Sequence, residues 1–293
     1  MLESLKREYR TAPAYKKIFY LNIFIFIVVG VAGGLWSLFT NQNPFPEFIR
    51  EYLGAPSEFN VLIKRFWTPI TYAFFHDGFN HIIFNMLLLY IGGRVYTQLL
   101  NDKKFINTYF LGAIFGWLIN ALFANALAYA DPTNIIGASA AISAIVVASA
   151  VYSPHYVINL VLLGRIKWAY VAAVLVILSF MSLQGENRFG QLSHIGGAAW
   201  GALYALQLKK GRNIGSWFDK LLERLGSLFK PKSKLRVEYV KRQTPPRDDY
   251  DFNARKKKDE EEVNAILDKI SKSGHNSLTK KERDILYKAS RKK

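Results

Sequence analysis

The first two thirds of the chain consist of apolar runs of about 20 residues separated by short polar segments. A helix of that length spans the hydrocarbon core of a bilayer, which is about 30 Å thick. The pattern therefore predicts an all-α integral membrane protein with a bundle of six transmembrane helices. The predicted spans are residues 18–39, 81–100, 105–129, 136–152, 166–183 and 191–208.

A long connector, residues 41–75, separates the first two spans. It contains several prolines and mixes apolar with charged residues. Because proline interrupts the hydrogen-bond ladder of a helix, this segment is not expected to cross the bilayer. Because many of its side chains are apolar, we expect it to lie in the membrane interface as short helices.

The last third of the chain is more polar than the spans. Residues 217–229 place apolar side chains at helical spacing between charged ones, which predicts an amphipathic helix on the anionic inner leaflet. Gly274 and a capping box of Thr279 with Glu282 indicate two short helices beyond it. The predicted segments are a cytoplasmic amino-terminal piece (1–17), the membrane domain (18–210), the amphipathic helix (211–230), a basic linker (231–258) and a cytoplasmic helical hairpin (259–293).

The formal net charge of +17 is concentrated in this tail, and the chain has no cysteine. The Lys and Arg residues of the membrane domain collect in the loops on the side of both termini, which predicts cytoplasmic termini in the cell (inner) membrane. Acidic residues interrupt the basic residues of the tail, and few aromatic residues lie among them. A nucleic-acid partner is therefore not expected. Without cysteine, disulfides, thiol catalysis and Cys-ligated metals are excluded, and we expect no metal or cofactor.

Four of the polar residues inside predicted spans are candidates for chemistry, because polar side chains there are costly and usually functional. His81 and Asn85 are four residues apart on span two, so they share a helix face. Ser139 and His194 each lie three residues into a span that runs in the same direction as span two. We therefore expect all four side chains at a similar depth, where they can converge.

Stripes of small residues predict which spans touch. Gly137 begins such a stripe on span four, and Gly197 with Gly201 forms a GxxxG pair on span six. Small residues allow membrane helices to approach closely, so we expect spans four and six to pack together. That contact would bring Ser139 within reach of His194, as a serine nucleophile and its general base require.

The remaining requirement of acyl transfer is a set of hydrogen-bond donors for the developing oxyanion. Ser139 stands at a predicted helix start, where backbone N–H groups are unpaired, and His81 and Asn85 add side-chain donors. The nearby acids, Asp77 and Asp131, lie in predicted loops and are not assigned to a triad. The residues therefore predict a Ser139/His194 dyad with an oxyanion hole formed by Ser139, His81 and Asn85.

The sequence resembles the rhomboid intramembrane serine proteases over roughly residues 60–208. The motifs that carry the resemblance are RFWTPITYAFFH (65–76), HIIFN (81–85), GASA (137–140) and HIGGAAWG (194–201). The resemblance implies a six-helix core, Ser139 as nucleophile, His194 as base, and His81 with Asn85 at the oxyanion hole. It also implies cleavage of single-pass membrane proteins within or near their transmembrane segment. It further implies a water-filled cavity that opens to the outer face. His76 matches a family histidine near that cavity and Trp67 matches an aromatic position in the long connector, so both are candidates to line the cavity.

Two positions depart from the family pattern. Ala140 stands where the family commonly has glycine, and Ser143 stands where an aromatic side chain often packs under the catalytic histidine. Because of these departures, a second interpretation remains: a catalytically inactive rhomboid-like protein that binds transmembrane helices.

Other interpretations of the same residues also remain. His81 and His194 could ligate haem, Asn85 could join helices, and His76 could pair with Asp77 in an interfacial loop. A small transporter would be expected to contain an inverted repeat, and we find none in the sequence.

Overall fold

The computed structural model describes residues 7, 9–127, 134–160, 164–185, 187–229 and 249–290. The chain divides into two compact units, Met1–Lys230 and Pro231–Lys293. The start of the predicted amino-terminal segment, Asp131 and most of the predicted linker lie outside the described residues.

Helices dominate the first unit and follow the predicted spans closely. They are α1 (Ala14–Thr40), α5 (Phe79–Leu99), α6 (Asp102–Ala126), α7 (Ser139–Tyr152), α8 (Trp168–Met181) and α9 (Arg188–Lys209). Within the described residues, three of these helices are long and apolar enough to cross a membrane: α1, α5 and α6. Helices α7 and α8 are apolar but only 14 residues long. Helix α9 has 22 residues and is less apolar, because it carries Gln191, His194 and several glycines.

The connector between α1 and α5 consists of short elements, as its composition predicts. These are α2 (Phe45–Tyr52), β1 (Ala55–Pro56), α3 (Phe59–Lys64), α4 (Thr68–Thr71) and a 3-10 turn (Tyr72–Phe74). Strand β1 pairs antiparallel with β2 (Asn134–Ile135), just before α7. The Gly137 N–H donates to the Tyr72 carbonyl over 3.0 Å. These backbone bonds hold the start of α7 against the connector, an attachment that the sequence pattern did not predict.

Helix α7 is buried between α6 and α9. A Cβ added at Gly197 would lie 2.1 Å from the Ala140 carbonyl oxygen, and one added at Gly201 would lie 2.3 Å from the Ala144 carbonyl oxygen. Only glycine permits such an approach between two helix backbones. The glycine pair of α9 thus packs against α7, in the contact that the small-residue stripes predict.

A second pair of glycines, Gly112 and Gly116 on α6, packs against the opposite side of the same residues. A Cβ added at Gly112 would lie 2.4 Å from the Ala144 Cβ, and one added at Gly116 would lie 2.6 Å from the Ala140 Cβ. Ala140 and Ala144 are therefore enclosed by glycines from two neighbouring helices. This close packing fixes the position of the α7 amino terminus relative to α9.

Beyond these helices, the described part of the first unit contains a pair of strands, a 3-10 turn (Ser182–Gln184) and a further helix. Strands β3 (Val157–Leu160) and β4 (Gly164–Lys167) form an antiparallel pair between α7 and α8. Helix α10 (Ser216–Phe229) follows α9 and coincides with the predicted amphipathic helix.

The second unit is a helical hairpin, built from α11 (Asp249–Ser273), a 3-10 turn (His275–Ser277) and α12 (Lys280–Ser290). Gly274, with φ of 75°, ends α11. The Thr279 N–H donates to Glu282 Oε2 over 2.7 Å and the Glu282 N–H donates to Thr279 Oγ1 over 3.3 Å, which completes the predicted capping box. Lys269 of α11 pairs with Glu282 over 2.8 Å and joins the two helices.

Helix α11 begins at Asp249, ten residues inside the segment predicted as a linker. That segment has few apolar residues, so the hydrophobic pattern did not indicate a helix there. Its charges explain the difference, because a basic run at 255–258 is followed by an acidic run at 259–262. Opposite charges four residues apart stabilise a solvent-exposed helix without a core.

Candidate active site

Ser139 is the first residue of α7, and its side chain is partly exposed. The first hydrogen bond of the helix runs from the Ile142 N–H to the Ala138 carbonyl. The N–H groups that precede it in the first turn have no partner within the helix. Ser139 therefore lies beside backbone donors at the positive end of the helix dipole.

His194 of α9 contacts Ser139 directly. The distance from His194 Nε2 to Ser139 Oγ is 2.6 Å, and the distance from His194 Nδ1 to Gln191 Oε1 is 3.1 Å. A carboxamide oxygen can only accept, so the Nδ1–H donates to Gln191. Nε2 of the neutral ring then has a free lone pair that can accept the Ser139 proton. This is the tautomer that a general base needs.

Gln191 was not predicted as a site residue, although the sequence contained the signal. Its position three residues before His194 places both side chains on one face of α9. The predicted spans contain no carboxylate that could orient the base. The structure places a carboxamide there instead, and a carboxamide can also hold an imidazole by its Nδ1–H.

The predicted reason for the Ser139–His194 contact was wrong in one respect. Both residues were expected three residues from the start of their helices. Ser139 is instead the first residue of its helix, and His194 lies six residues after Arg188, the first residue of α9. The two side chains meet because α7 is eight residues shorter than α9 and begins level with the second turn of α9.

His81 lies near the other side of Ser139, in the first turn of α5. The Asp77 backbone N–H donates to His81 Nδ1 over 3.2 Å. A neutral His81 must therefore carry its proton on Nε2. Nε2 faces Gly137, since a Cβ added there would lie 2.8 Å from His81 Nε2 and 3.5 Å from Ser139 Oγ. Asn85, one turn further along α5, is buried.

Gly137 has a different role from the helix-packing one that was predicted. Helix α7 begins at Ser139, so Gly137 precedes the helix and lies in a turn with φ of 132°. L side chains rarely adopt that backbone conformation, and the space a Cβ would need is filled by His81. Gly137 therefore allows the His81 ring to lie directly against the turn that precedes Ser139.

His76 and Asp77 do not pair with each other. The Asp77 carboxylate forms an ion pair with Arg50 of α2. The His76 ring packs edge-on against His81, with centroids 5.2 Å apart, and its ring nitrogens are buried without a partner among the described residues. Burial of the ring, together with neighbouring His81, lowers the pKa of His76 to about 3. His76 is thus a neutral neighbour of His81.

Trp67, the other residue expected near the cavity, contributes to the connector. Its indole N–H donates to the Tyr52 carbonyl over 2.9 Å, and the ring is partly exposed. This bond joins the end of α2 to the start of α4.

The two departures from the family pattern have different surroundings. The Ala140 methyl group points at Gly116, which has no side chain and leaves room for it. Ser143 is partly exposed one turn below Ser139. A serine is too small to support the imidazole of His194 as an aromatic ring would. The hydrogen bond from Gln191 holds that ring at its Nδ1 edge instead.

Comparison with known proteins separates the chain into two matched regions. Residues 64–211, about half of the chain, match the family model described as Rhomboid domain. Residues 248–292 match a family of unknown function, DUF6576. The second region coincides with the α11–α12 hairpin.

A relative among curated proteins is "RHOMBOID-like protein 12, mitochondrial" of Arabidopsis thaliana. It is 25% identical over 206 residues, which cover 65% of this chain and 60% of the relative. The chain thus spans about 60% of the length of the relative that it matches.

Proposed function

Because the chain belongs to the rhomboid family of membrane proteins, we propose that it is an intramembrane serine endopeptidase. Its substrates are single-pass membrane proteins, cleaved within or near their transmembrane segment. The observation that carries this proposal is the 2.6 Å contact between Ser139 Oγ and His194 Nε2, with Nδ1 already engaged by Gln191. A hydroxyl in that position has a base ready to take its proton.

The reaction follows from these contacts. Ser139 Oγ attacks the scissile carbonyl while its proton moves to His194 Nε2, and the imidazolium then returns the proton to the leaving amine. Water, activated by the same base, attacks the acyl-enzyme ester and releases the second product. Gln191 stabilises the imidazolium and keeps its ring in line through the Nδ1–H bond.

The oxyanion is stabilised from two sides. We assign the donors to His81 Nε2–H and the Asn85 carboxamide on α5 and to the backbone N–H groups at the α7 amino terminus. The loss of one such donor typically lowers turnover about 100- to 1000-fold. The backbone N–H of Asp77 supports this role, because it leaves His81 with its proton on the nitrogen that faces the pocket. The reaction needs no metal or cofactor.

The enzyme acts in a bilayer, with transmembrane substrates as its partners. The excess of Lys and Arg in the loops next to both termini supports cytoplasmic termini in the cell (inner) membrane. Six spans with this orientation place Ser139 toward the opposite face. Peptide bonds just inside that face of the membrane would then be the ones cleaved.

The test is cleavage of a panel of single-pass helices by the purified protein in liposomes. Ser139→Ala should lower the rate by more than about 1,000-fold. Ser193→Ala is the matched control, because Ser193 is a buried serine next to His194 that donates to the Gly190 carbonyl. Labelling by a fluorophosphonate should disappear in the first variant and persist in the second. Full cleavage by Ser139→Ala would refute the mechanism.

A catalytically inactive helix-binding protein is the second candidate, and Ser143 favours it because an aromatic support under the base is missing. The same experiment separates the two. An inactive protein would retain a transmembrane substrate through purification but would neither cleave it nor react with the fluorophosphonate.

A further inference from the structure

Helix α10 packs one of its faces against the membrane bundle. Phe218 and Asp219 are each only 5% exposed. Phe218 packs with Leu111 of α6 and Trp200 of α9, and Asp219 accepts a hydrogen bond of 3.0 Å from Asn107 Nδ2. This face packs against the bundle, so α10 is attached to the membrane domain by protein contacts.

A second apolar face of α10 remains uncovered. Trp217, Leu221 and Leu225, the outer stripe, follow one another at intervals of four residues and are 56%, 43% and 47% exposed. Residues at this spacing form one continuous row on a helix. A contiguous exposed row of large apolar side chains indicates a binding surface.

The charged residues of α10 are also divided by sign between different sides of the helix. Both of its acids lie away from the outer stripe: Asp219 is buried against Asn107, and the exposed Glu223 pairs with Lys103 over 2.7 Å. Its exposed basic residues, Lys220 and Arg224, lie one turn apart along the edge of the outer stripe. The surface that α10 presents outward is therefore apolar with a cationic edge.

The position of α10 indicates the partner. Helix α9 ends at Lys209, and only six residues separate it from Ser216. Phe218 packs near the first turns of α6, a helix long and apolar enough to cross the membrane. The outer stripe therefore lies close to the level of the lipid headgroups. An apolar row flanked by Lys and Arg is the composition that binds anionic membrane surfaces.

We propose that the outer stripe of α10 inserts into the headgroup region of the surrounding bilayer, and that Lys220 and Arg224 bind anionic phospholipids there. The inward face couples this lipid contact to α6 and α9. The site is separate from Ser139 and does not depend on the proposed protease activity.

The chain has no cysteine, so spin labels can be attached at single introduced positions. The full-length variants Leu221→Cys, Leu225→Cys and Glu223→Cys are labelled in nanodiscs of phosphatidylcholine with or without phosphatidylglycerol. Collisions with oxygen report immersion in lipid, and collisions with a nickel chelate report exposure to water. Labels at 221 and 225 should favour oxygen, more so with phosphatidylglycerol, whereas the label at 223 should favour nickel.

The charge requirement is tested with Lys220→Gln and Arg224→Gln in the Leu221→Cys background. Each lost cation should lower the ratio of lipid-immersed to water-exposed spin label about fivefold in phosphatidylglycerol nanodiscs. Lys280→Gln with Lys281→Gln on α12 is the matched control and should change nothing. Nickel access to positions 221 and 225 in both lipids would overturn the proposal, and so would exclusion of both reagents, which would indicate a protein partner.

Discussion

Helix α9 contributes to two polar clusters of opposite character, one toward each end. Toward its amino terminus, His194 contacts Ser139 and Gln191 in the group that we propose carries out the reaction, the reaction cluster. Toward its carboxyl terminus, Tyr204 donates to Asn213 Oδ1 over 3.1 Å. Asn213 and Asn107 in turn donate to the Asp219 carboxylate over 3.4 and 3.0 Å. These four residues form the inner cluster.

The two clusters differ in whether a proton can be transferred between the hydrogen-bonded groups. In the reaction cluster, a hydroxyl proton lies between an oxygen and an imidazole nitrogen that can both hold it, and the pair is only partly buried. In the inner cluster, amide and phenol groups donate to amide and carboxylate oxygens, and none of the bonds joins a hydroxyl to an imidazole. Polarity inside a membrane bundle therefore marks a reactive site only where a proton can be transferred. The inner cluster is built to hold α10 in place.

Replacement of Gly197 by alanine should have the largest effect, because it separates the helices that form the reaction cluster. The added Cβ would lie 2.1 Å from the Ala140 carbonyl oxygen, a backbone atom that cannot turn aside. We expect a loss of about 1–3 kcal/mol of stability, typical of overpacking. Cleavage should fall with it, because a shift of about 1 Å in the reacting groups can cost 100-fold. Thermal unfolding and cleavage in liposomes measure the two effects.

Gly34→Ala is the matched control for that variant. Gly34 also lies inside an apolar helix, α1, but has nothing within 4 Å of an added Cβ. The Gly34→Ala variant should retain full activity, and α1 should gain up to about 1 kcal/mol of stability from alanine's higher helix propensity. Equal behaviour of the two variants would argue against tight α7–α9 packing.

Gln191→Leu should weaken catalysis without weakening the fold. It removes the acceptor for His194 Nδ1–H, a hydrogen bond worth about 1 kcal/mol, so kcat should fall about 5- to 10-fold with little change in KM. Fluorophosphonate labelling should slow in parallel. Gln191→Glu supplies another acceptor and should restore both rates. If Leu and Glu behave alike, Gln191 has no role in positioning the base.

Asp219→Ala should have the smallest effect on activity, since it disturbs only the inner cluster. The substitution leaves one N–H of the buried Asn107 amide without its acceptor, at a cost of about 1–3 kcal/mol, while the amide still donates to the Gly215 carbonyl over 2.6 Å. Hydrogen exchange in α10 should accelerate, while cleavage by the Ser139 site stays unchanged.

Lys103→Met tests the other contact of the same helix. The pair of Lys103 with Glu223 is exposed, and exposed ion pairs contribute little. We expect no measurable change in hydrogen exchange of α10 for this variant. A larger effect for Lys103 than for Asp219 would reverse our comparison of buried and exposed contacts.

Much of the candidate site could be predicted from the sequence. Ser139, His194 and His81 are polar residues in apolar runs, where few roles other than chemistry or helix contacts explain them. The glycines of α9 predicted its contact with α7. The role of Gln191 was missed, because it depends on where the side chain of His194 turns. The backbone bond from Asp77 to His81 was missed for the same reason, since no side-chain pattern encodes it.

The tail shows a similar division. The amphipathic spacing of residues 217–229 predicted α10, but it did not reveal that Phe218 and Asp219 face the bundle while Trp217 faces away. Both faces are apolar, and the sequence alone cannot distinguish an apolar face that binds protein from one that binds lipid. The early start of α11 was missed because charge pairs, rather than apolar periodicity, stabilise it.

The sequence by itself determined the membrane class, the approximate helices and the residue types available for acyl transfer, because these depend on local hydrophobicity and on side-chain chemistry. Tertiary structure alone decided the level at which α7 begins, the turn at Gly137 and the hydrogen-bond partner of each imidazole. Those features depend on contacts between segments far apart in the chain. A shift of one helical turn in α7 would separate Ser139 from His194 without any change in the hydrophobic pattern.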